Sequence, residues 1–280
     1  MNSESAYNKA ISFAKEHYEN FPVVSFLIRK ELRKHVAIIY WFARTADDMA
    51  DEGNLAQEER LENLEKFGNR LTGLLNNKYE NEFDLALAET IKERNLSPAH
   101  FYNLLKAFKQ DVVKKKYTSF PEVIDYCSNS ANPVGRLILE LHDIRDPEAF
   151  EYSDDICTAL QLTNFYQDTG IDFGNGRIYY PIDEMEKFKV DEKMFLIKEN
   201  NSNLRKLVKF STNRAKDLFV NGKNLMRYID GRLKIEIKWT ILGGEKILEK
   251  IEKNNYNVIQ QRPVLTKTEF AGLVIKSFLL

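Results

Sequence analysis

Two pairs of aspartates carry the chemistry this chain could perform. Asp47 and Asp51 stand four residues apart in YWFARTADDMADE, and Asp168 and Asp172 repeat that spacing in QLTNFYQDTGIDFGNGRIYYP. Wound as a helix, Tyr40, Arg44, Asp47 and Asp51 fall within a wedge of roughly 60°, with Asp48 at its edge, and Gln161, Asn164, Asp168 and Asp172 within about 80°. Like charges at i,i+4 cost an isolated helix about 0.2–0.5 kcal/mol, and burial raises that cost. A compensating cation removes the conflict. Aspartate oxygens are hard ligands suited to Mg²⁺, which keeps several waters and is completed by substrate phosphates. Four aspartates beside basic side chains would therefore clamp a diphosphate, whose growing charge the metal neutralises as its C–O bond breaks. The other fragment is a carbocation, which needs apolar and aromatic surroundings. Either stripe alone also fits a solvated helix end, with Arg44 as a simple i,i+4 partner of Asp48. Two such stripes, the second of amides and short carboxylates instead of Lys and Glu, favour the clamp.

The elements that must position these groups are helical throughout. His35–Ala43 is apolar on every side and predicts a buried helix that runs straight into the first acidic cluster. Helices are expected at about 6–19, 30–51, 55–76, 82–94, 98–115, 121–142, 150–172, 202–228, 232–254 and 265–278. Pro98 and Pro121 mark first turns, Pro22 ends the first helix, and Pro133 beside Gly135 should kink helix 121–142. The longest stretch without a helical pattern is 173–200. No alternating run of convincing length and no GxGxxG after a strand appears, so a nucleotide-binding α/β domain is not expected. A single all-α domain over residues 1–280 is the economical reading.

Composition narrows the class further. The 280 residues carry 41 Lys+Arg against 42 Asp+Glu, a net charge of −1 that argues against a general nucleic-acid binder. The Lys114–Lys116 run reads as a solvated helix end. Cys127 and Cys157 supply neither a disulfide framework nor a CxxC motif. No apolar run reaches the 18 or so residues that span a bilayer, and MNSESAYNKA has no apolar signal-peptide core. A cytoplasmic protein is expected, and the C-terminal AGLVIKSFLL should pack as a final helix or touch a membrane surface peripherally.

YWFARTADDMADE and QLTNFYQDTGIDFGNGRIYYP together resemble the squalene/phytoene synthase family, and the resemblance runs from about residue 6 to 270. It implies an all-α, isoprenoid-synthase-type helical bundle around a central active-site cavity, Mg²⁺ as cofactor, and prenyl diphosphates as substrates. Carried over position by position, Asp47, Asp51, Asp168 and Asp172 match the catalytic, metal-binding aspartates. Gln161 and Asn164 match the amides before the second pair. His17 and Arg44 match residues on the diphosphate side, Tyr40 and Tyr126 match cavity tyrosines, and Arg262 matches a late basic residue. Within the family, HYENFPVVS, ARTADDMADEG, YCSNSANPVGRL and NFYQDTGIDFGNGRIYYP look most like hydroxysqualene synthases, which implies presqualene diphosphate as substrate, water as co-substrate and an alcohol as product. Gln167 stands where the family commonly has Arg, and Glu19 where it commonly has Lys or Ser. Both departures suggest a site for one diphosphate.

The rival within the family is head-to-head condensation of two farnesyl diphosphates to presqualene diphosphate, squalene or dehydrosqualene. An HD-type phosphohydrolase is prompted by His142-Asp143, but His17, His35 and His100 offer no obvious further ligand set. A non-catalytic helical scaffold is the remaining alternative.

Overall fold

The computed structural model describes residues 2–16, 28–198 and 200–279. The helical expectation holds almost element by element. In chain order the helices are α1 (Ser3–Glu16), α2 (Arg33–Asp51), α3 (Gln57–Leu75), α4 (Glu82–Glu93), α5 (Pro98–Val113), α6 (Phe120–Ser130), α7 (Asn132–Leu141), α8 (Pro147–Gln167), α9 (Thr169–Gly174), α10 (Ile182–Lys187), α11 (Glu192–Leu196), α12 (Ser202–Gly222), α13 (Gly231–Lys253) and α14 (Lys267–Leu279). Pro22, and with it the predicted end of the first helix, lies outside the described residues.

Contacts group the helices into two compact units, residues 1–113 with 133–150, and 114–132 with 151–280. The chain passes between units at the end of α5 and inside α7 and α8. No linker marks these crossings in the sequence, because helical periodicity continues through two of them.

In the first unit α2 contacts α1, α3, α4 and α5, which is what a helix apolar on all sides requires. Phe42 is buried between the ring of Phe67, stacked at 5.0 Å, and that of Phe101, edge-on at 5.2 Å, while Trp41 stacks on Phe83 at 4.3 Å. Asp84, His35 and Thr90 enter this core with partners. The buried carboxylate of Asp84 accepts from Arg70 Nη2 at 2.7 Å and from the Glu80 N–H at 2.8 Å. His35, 1% exposed, bonds through Nδ1 to Thr90 Oγ1 at 2.9 Å, and Thr90 also bonds the Tyr7 hydroxyl at 2.9 Å.

In the second unit, glycines bring helices together closely. A Cβ on Gly222 of α12 would meet Ile156 Cγ1 of α8 at 2.6 Å, and one on Gly244 of α13 would meet Phe219 Cζ at 2.5 Å and Leu160 Cδ2 at 3.0 Å. After α9 the chain runs extended beside residues 115–118: the Ile178 N–H donates to Lys115 O and the Ile182 N–H to Tyr117 O, both at 2.9 Å. The final helix α14 begins at a Thr-x-x-Glu box in which the Thr266 N–H donates to Glu269 Oε2 at 2.8 Å and the Glu269 N–H to Thr266 Oγ1 at 3.2 Å.

Three expectations change. The predicted helix 121–142 is two helices, broken at Ala131, because Pro133 cannot donate to the turn before it. The predicted helix 150–172 breaks at Asp168, where the Thr169 hydroxyl donates to Phe165 O at 3.1 Å and Tyr166 O at 3.0 Å and competes with the backbone ladder. The stretch 173–200 contains two short helices, α10 and α11, too short to show a period in sequence.

Burial, with help from Lys34 and Arg94 and against the pull of Glu93, holds the His35 imidazole down to about 4. The unfolded chain, whose imidazole titrates near 6.5, therefore takes up a proton first as pH falls. The contribution is complete above about pH 6.5 and is lost as pH drops toward 4. Thermal unfolding followed from pH 7.5 to 4.5 should show a steeper loss in the wild type than in His35→Gln, by on the order of 2 kcal/mol at the acid end. Equal slopes would show that His35 does not carry the effect.

Candidate active site

The first acidic cluster sits where α2 emerges from its core. Ala46 and Ala50 keep one side of the helix buried, while Asp47 and Asp48 are half-buried and Asp51 is exposed. The buried stretch thus stops short of the carboxylates, and the acidic line is open to solvent. Arg44 binds this cluster together. Its guanidinium lies 3.2 Å from Asp47 Oδ2, 2.7 Å from Asp48 Oδ1 and 2.9 Å from Glu52 Oε1. Carboxylates at a helix C-terminus oppose the macrodipole. Arg60 of α3 offsets this, donating to Ala50 O at 2.6 Å and Gly53 O at 2.7 Å. Arg60 bears no motif, and only the fold identifies it. Tyr40, one turn before Arg44, packs against Phe13 of α1 at 6.2 Å. His17 and Glu19 lie outside the described residues.

The second cluster lies on α8 and α9. Asn164 is exposed, and Gln161, Asp168 and Asp172 are half-buried, so this stripe too is accessible. Although the helix breaks at Asp168, the Asp172 N–H still donates to Asp168 O at 2.9 Å, which keeps the two carboxylates one turn apart. Arg262 reaches Asp168 from the segment between α13 and α14. Its Nε donates to Oδ1 and its Nη2 to Oδ2 at 3.2 Å, a bidentate pair. That bond, reinforced by the charges of Asp168 and Asp172 against partial desolvation, raises the guanidinium pKa above its ordinary value. Arg177, in the stretch after Asp172, donates its N–H to Asp172 O at 2.8 Å and lines a small cavity with Asp172, Thr169 and Tyr180.

Beside the Asn164–Asp168 line, Phe165 turns into an aromatic cluster. Its ring stacks on Tyr179 at 3.6 Å and lies 5.9 Å from Tyr126, and Tyr117 packs 5.8 Å from both Tyr126 and Tyr179. Tyr126 is thus placed among π-faces, and Tyr117, Phe165 and Tyr179 join it. Sequence reasoning missed these three because an aromatic at helical spacing reads as ordinary core.

Gln167 does not face the acidic line. It is buried, and its Nε2 donates to Pro263 O at 2.6 Å. The absence of a positive charge at this position therefore reflects a backbone anchor, not a gap in an anion clamp, and that half of the one-diphosphate argument falls. Gln161, Asn164, Asp168, Asp172, Tyr126 and Arg262 belong to the second unit, and Tyr40, Arg44, Asp47 and Asp51 to the first.

Each motif offers two solvent-reachable carboxylates one turn apart. Among the described residues no three Asp, Glu, His or Cys side chains converge as a closed metal cage. That donor set fits a hard divalent ion that keeps water and phosphate oxygens in its other positions, and the guanidinium on Asp168 shows the carboxylate already set against positive charge. The hydrolase alternative finds no support in the described histidines. His35 is bonded to Thr90, His100 lies 3.3 Å from Glu140, and His142 Nδ1 donates to Ile138 O at 2.9 Å. Lys114 and Lys116 pair with Glu122 at 3.1 Å and Glu192 at 2.5 Å.

A family model described as squalene/phytoene synthase matches residues 14–269. A hydroxysqualene synthase of Sinorhizobium fredii is 32% identical over 86% of this chain and 82% of its own. A 15-cis-phytoene synthase of Synechocystis is 28% identical over 92% of this chain and 80% of its own. The crystal structure of squalene synthase HpnC from Alicyclobacillus acidocaldarius superposes with a TM-score of 0.86 at 32% identity, covering 91% of this chain and 96% of that one.

Asp47→Ala and Asp168→Ala should each leave the protein folded, since Asp47 and the Arg262–Asp168 pair are partly exposed and such pairs contribute at most about 1 kcal/mol. Turnover of a prenyl diphosphate should fall by at least about a hundredfold, because charge stabilisation at the leaving group is lost. Circular dichroism melts and diphosphate release check both parts; a variant with wild-type turnover would remove its aspartate from the machinery.

Proposed function

The chain belongs to the squalene/phytoene synthase family, and we propose that it converts presqualene diphosphate and water to hydroxysqualene and diphosphate in a Mg²⁺-dependent reaction. The supporting observation is a juxtaposition on one helix. The polar line Gln161–Asn164–Asp168, taken in this reading as the anion-and-metal surface, flanks Phe165, whose ring stacks on Tyr179 and neighbours Tyr126, with Tyr117 beyond. A leaving diphosphate and the cation it leaves behind need those two surroundings side by side. The choice among family reactions follows similarity to the hydroxysqualene synthases, at 32% identity against 28% for the phytoene synthase.

The pair Asp47 and Asp51, and likewise the pair Asp168 and Asp172, would hold Mg²⁺. When bound, the metal supplies Lewis-acid stabilisation of the departing diphosphate. Arg44 and Arg262 contribute permanent positive charge beside these carboxylates. The aromatic faces stabilise the cyclopropylcarbinyl cation through their quadrupoles and offer it no strong nucleophile. Burial pushes the phenols of Tyr166 and Tyr180 up, so they remain neutral behind this wall. A cation held this way is short-lived, and its product is decided by the nucleophile that the surroundings admit. Water gives the alcohol.

Purified protein given Mg²⁺ and presqualene diphosphate in ¹⁸O-labelled water, without NADPH, should yield a labelled C30 alcohol, and farnesyl diphosphate alone should yield no C30 product. Conversion of farnesyl diphosphate to presqualene diphosphate, squalene or dehydrosqualene would assign the condensation reaction instead. An unlabelled alcohol would point to hydrolysis at phosphorus and end the carbocation mechanism. EDTA should abolish turnover and Mg²⁺ restore it.

A further inference from the structure

The segment between α13 and α14 has a construction that the family reaction does not by itself require. It leaves α13 through two left-handed residues, Asn255 and Tyr256, with φ of 50° and 57°, a backbone region that non-glycine residues seldom enter. It then buries Val258, Ile259 and Pro263 while Gln260, Gln261 and Arg262 stay exposed. Three residues of the second acidic motif, Gln167, Asp168 and Gly170, receive it. Gly170 lets the chain approach so closely that a Cβ there would stand 2.6 Å from Ile259 O. Gln167, buried, donates to Pro263 O at 2.6 Å. Between these two anchors, Asp168 accepts both arms of Arg262. Gln260 Nε2 fastens the outer side of the segment to Lys198 O at 2.9 Å.

We propose that Gln167 and Gly170 are positioning residues that hold residues 259–263 as a strap over the second acidic motif, so that Arg262 serves as the resident counter-cation of Asp168 and yields that carboxylate to the metal when diphosphate arrives. Without Arg262, Asp168 and Asp172 would repel each other across one turn. With it, the carboxylates are held in place at low cost, because the pair is partly exposed and weak enough to exchange. The buried amide-to-carbonyl bond of Gln167 is what keeps the strap in register. A buried donor left unpaired is costly, so this link is stiffer than the exposed ion pair it supports. The exchange moves a guanidinium from a carboxylate to a phosphate oxygen, and both are bidentate partners of Arg. This inference rests on the Mg²⁺–diphosphate reading of the site.

The test uses the full chain, with Mn²⁺ as a spectroscopic probe of metal binding and inorganic diphosphate as the anion. Arg262→Gln should bind Mn²⁺ alone about fivefold to tenfold more tightly than wild type, because the competing cation is gone. Inorganic diphosphate in the presence of Mn²⁺ should bind more weakly. Gln167→Met, which keeps the size and removes the donor, should shift both affinities in the same opposed directions by about twofold to fivefold. Gly170→Ala, which pushes on Ile259 instead, should do likewise, so the inference survives a failure of either variant to fold. A general loss of structure would weaken both affinities together; the opposed signs are particular to a strap that carries Arg262. If Arg262→Gln leaves Mn²⁺ affinity unchanged, Arg262 is not the counter-cation. If Arg262→Gln shifts it and neither strap variant does, Gln167 and Gly170 do not position it. Absence of Mn²⁺ binding in every form, with and without diphosphate, would instead overturn the metal reading itself.

Discussion

Carboxylates held one helical turn apart repel, and the surroundings of each acidic motif are arranged around that repulsion. Each acidic motif answers it with guanidinium groups from a different place. Around Asp47 the answer is local: Arg44, on the same helix, spans Asp47, Asp48 and Glu52, and Arg60 neutralises the carbonyls that those acids would otherwise aggravate. Around Asp168 the answer is remote, since Arg262 is 94 residues away in sequence and is delivered by a segment docked on the motif itself. Both arrangements leave Asp47, Asp51, Asp168 and Asp172 at least partly exposed. The proposed binding of a hydrated cation and a diphosphate would need that access, and full burial of four carboxylates would be costly.

The apolar framework has a separate task. In the first unit α2 is held on four sides, so that the line from Tyr40 to Asp51 has one orientation. In the second, α8 is fixed by close helix contacts at Gly222 and Gly244, positions where any side chain would push α12 or α13 away. Thr169 links the break between α8 and α9 to Tyr180, at 2.9 Å, and so ties the acidic turn to the extended segment that carries Tyr179 into the aromatic cluster. Acid and aromatic surfaces are thus held by the same short stretch of chain. A helix shift that moved Asp168 would move Phe165 with it.

The sequence alone determined the helical class, nearly every helix, and the two acidic stripes with their one-turn spacing. Those features rest on local rules: the 3.6-residue period, proline at helix starts and breaks, and aspartates whose spacing is set by helical pitch. The motifs YWFARTADDMADE and QLTNFYQDTGIDFGNGRIYYP separately carried the family resemblance that the family match bears out. Breaks at Ala131 and Asp168 were harder to read, because a threonine hydroxyl or a proline two residues on competes with the ladder without interrupting the apolar pattern. Gln167 was misjudged for a related reason. Its identity suggests a lost charge, and only its burial and its bond to Pro263 show that it serves the backbone. Arg44 was legible as a local partner of Asp48, but the tertiary structure alone decided which remote groups answer the acidic charge, since Arg60, Arg262 and the strap residues reach their partners across the fold. It also decided that Tyr117, Phe165 and Tyr179 form one wall with Tyr126. Pairings between distant segments leave no periodic trace, because their energy is gained only after the helices that bring them together have packed.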